Sequence, residues 1–531
     1  MSRVAWLPWP GSLLLSLLAG RWAGLGWLAA GAFSLACSAL AGTHEVPFLR
    51  GAWRRRAQAR PRRLTARFLE RWGRRHPEHV LLGYGAPWRS AEARRFFAAV
   101  SGPQGRQDFS PFDQSGVERP LRLPAGGSHT LVVGAPGTGK TQLFALLAVQ
   151  AIARGEAVVL LDPKGGRALC ERLAAAAARA GRPFFRLLAA EPEASDAFDL
   201  LANARSAGEL ASRVARLMPA DESDNAFGQF AWMTLHRLIE AQRALGEAVT
   251  LQGLRTHVAD QGQALLRRLQ MRGREAQGAC AGLAELAAHE PAHYRKMILA
   301  LGPVLETLCG GLLGALLSDL RRPRVNLGQI VRQGGVLYAG LGALSDEATA
   351  RALGGLLLAD LAALAGDRYR GTGERLPIRL FVDEAAEVTN PAFIQILNKG
   401  RECGVQVTFA VQTLADLEVA MGGEAPARMM LGNAGNLVAF RLLDAGSREA
   451  WSARAGPVWT RLRSSAQGVQ QGTGPVGSRN SRSAGRSEGL REVPLLPESL
   501  LAHLPDLAFA VLLGGGQAAL GRLPLLAEES S

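Results

Sequence analysis

A glycine-rich loop between an apolar strand and a helix constrains the fold of this chain more than any other feature. Residues 134–141 read GAPGTGKT, which matches the spacing G-x-x-x-x-G-K-[ST], and they follow the apolar residues 131–133. Glycines in such a loop let backbone N–H groups approach phosphate oxygens more closely than a Cβ would permit. The N-terminus of the following helix attracts the same anion. The segment therefore predicts a nucleotide-binding P-loop rather than a chance glycine turn.

The residue types within this loop predict which side chains touch the nucleotide. In the P-loop geometry Lys140 reaches the β- and γ-phosphates, where it acts in catalysis, and the Thr141 hydroxyl is a ligand of Mg²⁺. ATP and Mg²⁺ are therefore the cofactors that we expect. The residues expected to bind the nucleotide are Gly134, Ala135, Pro136, Gly137, Thr138, Gly139, Lys140, Thr141 and Gln142.

A second apolar segment, residues 378–382, closes on two carboxylates, Asp383 and Glu384. A P-loop needs such an acidic strand end, because the metal must be supported and a water molecule must be activated. We expect Asp383 to support Mg²⁺ beside Thr141, mostly through a bound water. Glu384 is expected to orient the attacking water or accept its proton. A solvated turn is the alternative, and the P-loop in the same chain favours the catalytic interpretation.

Two further residues are candidates for catalysis. Gln412 ends the predicted strand 405–411, which we expect beside the strand of Asp383; its amide would touch the γ-phosphate or the attacking water and report the nucleotide state. Arg401 lies 18 residues after Asp383, near the end of the intervening helix. In a ring of subunits it would reach a neighbour's ATP as an arginine finger. The alternative for Gln412 is an ordinary polar residue at a strand end. The alternative for Arg401 is a solvated arginine at a helix terminus.

A charged pair follows a third apolar run, residues 157–161, which ends in Asp162 and Lys164. Open α/β sheets bind ligands at the carboxyl ends of their strands. These two residues therefore lie near the phosphates or form a structural pair, and the sequence leaves both interpretations open. Lysine is rare in this chain, which makes Lys140 and Lys164 more notable; the only others are Lys296 and Lys399.

Strands alternate with helices before and after residues 206–322, and this alternation predicts an α/β domain. Within 206–322 apolar residues recur at helical spacing, among them Phe227, Phe230, Leu269 and Met271. We therefore expect an all-α domain inserted into the α/β domain, with these residues in its core.

The predicted organisation has five parts. Residues 50–120 are expected to be a connector with a strand at 79–82, and residues 509–513 with the glycine turn 514–516 are expected to finish the chain's last domain. The parts are a membrane anchor at 1–49, a basic juxtamembrane and connector segment at 50–120, the first part of the nucleotide-binding domain at 121–205, the insert at 206–322, and the second part at 323–531, in which the Ser/Gly/Gln/Arg-rich residues 463–491 form a mobile loop.

The N-terminal residues predict the membrane anchor. Residues 5–20 and 22–42 carry no charge and are divided only by Arg21. The second run is long enough to cross a hydrocarbon layer, and the anchor is either one span or a tight hairpin. A cleaved signal peptide is the rival, but cleavage would export the P-loop away from its ATP. The arginines that follow fit the positive-inside rule, so we expect the body of the protein in the cytoplasm.

Positive charge is concentrated next to this anchor. Between Arg50 and Arg75 eleven arginines face one acidic residue, so that this segment holds +10 of the formal net charge of +15. The excess charge is therefore no evidence for a DNA-binding body, and we expect the arginines to hold anionic lipid headgroups. Five cysteines without a C-x-x-C pair favour a reduced, cytosolic environment.

At these motifs the chain resembles the type IV coupling proteins, and within that group the TraD factors of integrative conjugative elements. The resemblance extends over nearly the whole chain. The resemblance to the group rests on the P-loop, the segment 162–165, the Asp383–Glu384 strand end, the turn 400–405 and Gln412. The match to the subgroup rests on residues 227–232, 504–507 and 521–524. Gly166 departs from the pattern, because many relatives carry Asp there.

The resemblance implies a hexameric, RecA-like P-loop ATPase anchored in the bacterial inner membrane. Such a protein receives single-stranded DNA bound to a relaxase and passes it to a type IV secretion channel, with the all-α insert facing the cytoplasm. A DNA translocase of the FtsK or HerA type shares the same core, and a non-catalytic receptor or scaffold is the second rival. Intact Lys140, Thr141, Asp383 and Glu384 argue against the scaffold.

Overall fold

The computed structural model describes residues 61–100, 118–218, 226–319, 321–371, 376–474 and 477–527. The chain divides into two compact units, Met1–Arg62 and Arg63–Ser531, and the described secondary structure belongs to the second. The predicted anchor at 1–49 and the arginines up to Arg60 lie outside the described residues. The membrane anchor therefore stays a prediction.

Strands and helices alternate through most of the described chain. The strands are β1 (Arg63–Leu64), β2 (His79–Pro87), β3 (Arg119–Pro124), β4 (His129–Val133), β5 (Ala157–Asp162), β6 (Phe184–Leu188), β7 (Ala197–Phe198), β8 (Arg324–Val325), β9 (Val336–Gly340), β10 (Ile378–Val382), β11 (Val405–Val411), β12 (Ala434–Ala439), β13 (Pro457–Gly474), β14 (Gly477–Pro494), β15 (Ala508–Leu512), β16 (Ala518–Arg522) and β17 (Leu525–Leu526). The α-helices are α1 (Ala66–Arg75), α2 (Ser90–Val100), α3 (Lys140–Ala153), α4 (Arg167–Arg179), α5 (Ala207–Ala215), α6 (Ala226–Ala244), α7 (Leu251–Ala259), α8 (Gln263–Gln270), α9 (Gln277–Ala287), α10 (Pro291–Met297), α11 (Leu301–Cys309), α12 (Gly311–Leu317), α13 (Leu327–Arg332), α14 (Glu347–Arg370), α15 (Pro391–Lys399), α16 (Leu414–Ala420), α17 (Glu424–Asn433), α18 (Ala445–Ala455) and α19 (Glu498–Ala502).

One sheet of eleven strands organises the fold, in the order β3-β2-β16-β15-β12-β4-β11-β10-β5-β9-β6. The seven strands from β12 to β6 pair in parallel. The four strands from β3 to β15 extend the sheet in antiparallel pairs. Parallel strands joined by helices confirm the predicted α/β class.

The central parallel strands are apolar because both faces of the sheet are covered. Every residue of β4, β5 and β9 is buried. On β5, Val158 and Leu160 pack with helices α3 and α4 on one face. Val159 and Leu161 pack with α14 and with helices between β7 and β8 on the other. Alternating side chains therefore serve two separate cores, as the strand period of two requires.

The regular secondary structure described between β7 and β8 is all helical: the α-helices α5 to α12 and a short 3-10 helix, Gly273–Ala276. β7 and β8 pair with each other in parallel, so the helical segment begins and ends at neighbouring positions. Phe230 and Leu269 are buried, as predicted, whereas Phe227 is 39% exposed and Met271 is 85% exposed. Both exposed residues stand at a helix end, where the stripe that faces the core stops.

A buried ion pair ties the first helix of this region to the core. Arg213 of α5 donates to Asp360 of α14 at 2.6 Å, and both side chains are almost fully buried, at 2% and 0% exposure. Asn203 donates to the other carboxylate oxygen at 2.8 Å. Burial raises the pKa of Asp360 to about 6 against the opposing charge of Arg213. The carboxylate therefore depends on Arg213 to remain charged in this environment.

Residues 463–491, which we predicted as a mobile loop, form most of a long hairpin instead. β13 and β14 pair in antiparallel over 18 residues each, from Pro457 opposite Pro494 to Gly474 opposite Gly477. The ladder is made of backbone groups, so a polar sequence without a hydrophobic pattern does not prevent it. Composition alone was therefore a poor guide to this segment.

Two further corrections concern the antiparallel side of the sheet. β2 runs to Pro87 inside the main sheet, whereas we placed a short strand in a separate connector. Gly85 weakens the strand pattern in the sequence. A Cβ on Gly85 would lie 2.0 Å from the carbonyl oxygen of Leu520, so only glycine at this position allows β16 to pair with β2. The glycine turn 514–516 also does not finish the domain, because β16 and β17 follow it.

Among the described residues, α14 is the one helix that is long and apolar enough to cross a membrane by length and composition. Most of its apolar window is buried. Its leucines lie in the core on one face of the sheet. A core helix therefore explains its apolar character.

Replacing Arg213 by Met is expected to destabilise the protein by about 3–5 kcal/mol, because Asp360 then keeps a buried charge without a cation. The measurement is the free energy of unfolding in urea at neutral pH. The double variant Arg213→Met/Asp360→Leu is the control, since removing both charges should recover most of the loss. Equal destabilisation by the single and double variants would contradict the role of the unpaired charge.

Candidate nucleotide-binding site

The carboxyl ends of four neighbouring parallel strands meet at one edge of the sheet. The order β4-β11-β10-β5 places the P-loop after β4, Gln412 after β11, Asp383 and Glu384 after β10, and Asp162 at the end of β5. The parallel registers keep these strand ends level. Residues that are distant in the sequence therefore converge where open α/β sheets bind ligands.

The P-loop keeps its shape through its glycines. Gly137 and Gly139 have φ angles of 76° and 126°, a region that L side chains rarely adopt. A Cβ on Gly134 would lie 2.7 Å from the Cβ of Phe440. The loop ends at Lys140, the first residue of α3. Its backbone therefore wraps around the helix N-terminus, as binding of a phosphate requires.

The side chain of Lys140 is folded over the loop. Its ammonium donates to the carbonyl oxygens of Gly134 at 2.6 Å and Ala135 at 3.4 Å, and it lies 3.8 Å from Oε1 of Glu384. Burial lowers the pKa of Lys140, although the charges of Glu384 and Asp383 oppose the shift. The structure therefore places a buried cation at the centre of the loop, where the sequence predicts the phosphates.

Thr141 and Asp383 are brought together, as the metal prediction requires. The Thr141 hydroxyl donates to Oδ2 of Asp383 at 3.1 Å. Burial raises the pKa of Asp383, and the charges of Asp162 and Glu384 add to the shift. A hydroxyl and a carboxylate oxygen suit a hard cation such as Mg²⁺, and its charge would relieve this accumulation of carboxylates. The described residues contain no cluster of three or more His, Cys, Asp or Glu that could hold a metal.

Glu384 occupies a constrained backbone position. Its φ of 48° and ψ of 61° lie in the left-handed region, which is uncommon for a residue other than glycine. The Glu384 N–H donates to Oδ1 of Asp383 at 3.1 Å. The side chain is 9% exposed. Adjacent residues of one strand end thus aim two carboxylates into the same site, one towards Thr141 and one towards the lysines.

The side chains of Asp162 and Lys164 do not form an ion pair with each other. Asp162 accepts hydrogen bonds from the backbone N–H groups of Lys164 and Gly166 and from the hydroxyl of Tyr338. The Lys164 ammonium instead donates to Oε1 of Glu384 at 3.1 Å. Burial works against its charge, but the hydrogen bond and charge of Glu384 prevail and raise the pKa of Lys164. Asp162 therefore shapes the turn. Apart from the scarcity of lysine, no local pattern in the sequence indicated that Lys164 contacts Glu384.

The prediction includes two glutamines, one after β11 and one in the first turn of α3. Gln412 is half-buried directly after β11, beside the strand of Asp383, as predicted. Gln142, in the first turn of α3, accepts a hydrogen bond from Arg172 of α4 at 3.1 Å. The contacts of Gln412 and Gln142 with a nucleotide stay predictions.

Arg401 lies at the opposite edge of the sheet. It is exposed, follows α15 and comes shortly before Val405, the first residue of β11. The five residues of β10 separate this edge from Asp383 by about 16 Å. Burial lowers the pKa of His129, at the start of β4, to about 4, and the charge of Arg401 contributes. Arg401 therefore does not reach the site of its own chain, and its role as a finger in a neighbour stays a prediction.

Two family models match this chain. Residues 115–287 match the type IV secretion-system coupling protein DNA-binding domain. Residues 377–506 match the TraM recognition site of TraD and TraG. No curated protein sequence matches the chain. The two matched regions together include the P-loop, Asp383, Glu384, Arg401 and Gln412.

Solved structures of plasmid and bacterial conjugative coupling proteins have a similar fold. The unbound monoclinic form of the bacterial conjugative coupling protein TrwBdeltaN70 is 19% identical over 77% of this chain and 87% of its own, with a TM-score of 0.54. The plasmid coupling protein TrwB with the non-hydrolysable GTP analogue GDPNP is 18% identical over 76% of this chain and 86% of its own, with a TM-score of 0.52. TrwB with ADP and Mg²⁺ is 19% identical with the same coverages and TM-score. This likeness confirms the predicted RecA-like fold.

Replacing Gly134 by Ala is expected to weaken binding of a fluorescent ATP analogue by about tenfold or more, because the new Cβ would overlap Phe440 and displace the loop. Fluorescence titration measures the dissociation constant. Gly126→Ala is the matched control, since its Cβ meets nothing within 4 Å and its backbone has no positive φ. Unchanged binding by Gly134→Ala would contradict a site that depends on this close approach.

Proposed function

We propose that this chain, a type IV coupling protein of the TraD/TraG family, hydrolyses ATP at its P-loop and uses the energy to pass DNA to a type IV secretion channel. One observation carries the proposal. The carboxyl edge of the sheet gathers four groups that act on phosphate. The buried ammonium of Lys140 lies 3.8 Å from the carboxylate of Glu384, and the hydroxyl of Thr141 donates to the adjacent carboxylate of Asp383 at 3.1 Å. These are the groups that phosphoryl transfer from ATP to water needs.

Each of these side chains has a defined role in the proposed hydrolysis. Lys140 exchanges its loop carbonyl partners for the β- and γ-phosphate oxygens. Thr141 and Asp383 would hold Mg²⁺, which would supply positive charge to stabilise the phosphates. Glu384 orients the attacking water and accepts its proton. Gln412, at the adjacent strand end, touches the γ-phosphate or the water and reports which nucleotide is present.

The partners in the proposal are single-stranded DNA with its relaxase and the components of the secretion channel. The match of residues 115–287 to a coupling protein DNA-binding domain supports the first. The match of residues 377–506 to a TraM recognition site supports an accessory protein as a further partner. The chain acts as a homohexamer at the bacterial inner membrane, with residues 1–49 as its anchor and its body in the cytoplasm.

The rival functions differ in outcomes that can be measured. A translocase of the FtsK or HerA type would hydrolyse ATP with DNA but would not be needed for transfer through a secretion channel. A non-catalytic receptor would bind nucleotide without turnover. The complete set of catalytic side chains supports the ATPase over the receptor, and the coupling protein family models support transfer over general translocation.

Replacing Lys140 by Ala is expected to reduce ATP hydrolysis by about 100-fold or more, because the phosphates lose the cation that stabilises charge in the transition state. Steady-state ATPase activity of the full-length protein, with and without single-stranded DNA, measures the loss. DNA transfer in a strain that carries the variant should fall with it. The control is Lys296→Ala, an exposed lysine of α10. Normal transfer by Lys140→Ala, with membrane insertion intact, would refute the motor.

Arg401→Ala is expected to lower hydrolysis by about 10³-fold in assembled rings if Arg401 serves a neighbour's ATP. Mixing Arg401→Ala with Lys140→Ala subunits tests this, because an intact P-loop of one subunit then meets an intact arginine of the next. Activity in the mixture above that of either variant alone is the expected result. Arg295→Ala, an exposed arginine of α10, is the control. An inactive mixture that still assembles would exclude a role across the interface.

A further inference from the structure

Two lysines compete for one carboxylate oxygen in the candidate site. Oε1 of Glu384 lies 3.1 Å from the ammonium of Lys164 and 3.8 Å from that of Lys140. The two lysines differ in their other contacts. Lys140 is buried and also bonded to two loop carbonyls, whereas the side chain of Lys164 is 51% exposed and reaches across from the end of β5. Glu384 is therefore shared between a cation of the P-loop and a cation of the neighbouring strand end.

The backbone of Lys164 is held firmly, so its side chain starts from a fixed point. Asp162 accepts the N–H groups of Lys164 and Gly166 at 3.0 and 2.8 Å. The hydroxyl of Tyr338, on the adjacent strand β9, donates to the same carboxylate at 2.7 Å. Gly165 turns with a φ of 69° and packs near the backbone of β9. This network determines where the Lys164 ammonium can go.

We propose that Lys164 is the positioning residue of Glu384: it holds the carboxylate in place when phosphate draws Lys140 away. The inference rests on the proposed ATPase function. Phosphate oxygens attract an ammonium more strongly than loop carbonyls do, because they carry formal charge. Lys140 then turns from Glu384 to the phosphates, and the direct bond from Lys164 remains. That bond keeps Glu384 directed at the attacking water and away from the Lys140 ammonium.

A contact between Lys164 and the γ-phosphate itself is the competing role, and it predicts different kinetics. A residue that binds the phosphate in the ground state affects KM and the affinity for a triphosphate more than for ADP. A residue that positions the catalytic carboxylate affects kcat with little change in KM, because nucleotide binding does not involve it. Misplacement of a reacting group by about 1 Å can cost about 10²-fold in rate.

Lys164→Met tests the proposal, because it removes the charge and keeps an unbranched apolar stem. ATPase kinetics are measured on the full-length protein with single-stranded DNA, alongside titration with fluorescent ADP and a fluorescent non-hydrolysable ATP analogue. We expect kcat to fall by about 100-fold, with KM and both dissociation constants within about twofold of the wild type. Lys164→Arg keeps a cationic donor and should recover a large part of kcat. Lys296→Met, the same change on an exposed surface, should have wild-type kinetics.

A double variant separates positioning from a general structural effect. If Lys164 acts through Glu384, Lys164→Met should add no further loss of kcat to Glu384→Gln, since the group it positions is already disabled. A multiplicative loss in the double variant would overturn the proposal, as would an unchanged kcat for Lys164→Met. A rise in KM and loss of affinity for the ATP analogue alone would instead assign Lys164 to the phosphate. If the wild type itself hydrolysed no ATP, the proposed function and not this inference would have failed.

Discussion

The level alignment of four parallel strand ends is the constraint on which the candidate site depends. Backbone ladders hold β4, β11, β10 and β5 in register. The three residues before the polar end of each strand are apolar. Polar residues therefore emerge together at one edge, where the dense apolar interior stops. The P-loop, Asp383, Glu384 and Lys164 share a site because the ladder brings their strand ends side by side, although hundreds of residues separate some of them.

Charged side chains of opposite sign lie close together at this edge of the sheet. Burial disfavours the charged forms of both Lys140 and Asp383, and their neighbours only partly compensate. The two carboxylates depend on nearby donors and cations, Asp383 on Thr141 and Lys140 and Glu384 on the lysines. A phosphate would offer Lys140, and a divalent cation would offer Asp383, a partner of opposite formal charge. The left-handed backbone at Glu384 adds local strain of the kind found at functional sites. Such a site is arranged for an anionic ligand with its metal.

The antiparallel strands and the helices between β7 and β8 supply none of the site residues described above. The antiparallel strands from β15 to β3 widen the sheet on the side of β12. The helices α5 to α12 lie between β7 and β8, which pair with each other in a separate two-stranded sheet. The Arg213–Asp360 pair joins the first of these helices to the core helix α14. Because removing either charge would leave the other buried and unpaired, this connection favours the contact between α5 and α14.

Local patterns in the sequence were sufficient to predict the P-loop, the acidic strand end, the α/β class and the helical region. The P-loop and the acidic strand end each consist of consecutive residues, so that their conformation and chemistry are encoded together. The apolar runs of β5 and β10 and the helix periodicity determined the α/β class and the helical character of the described residues 207–218 and 226–317. Only tertiary structure decided that Lys164 meets Glu384, 220 residues away, that Arg401 lies at the far edge of the sheet, and that a polar segment forms a long hairpin. These features depend on strand order, register and backbone pairing, which a hydrophobic pattern along the chain does not specify.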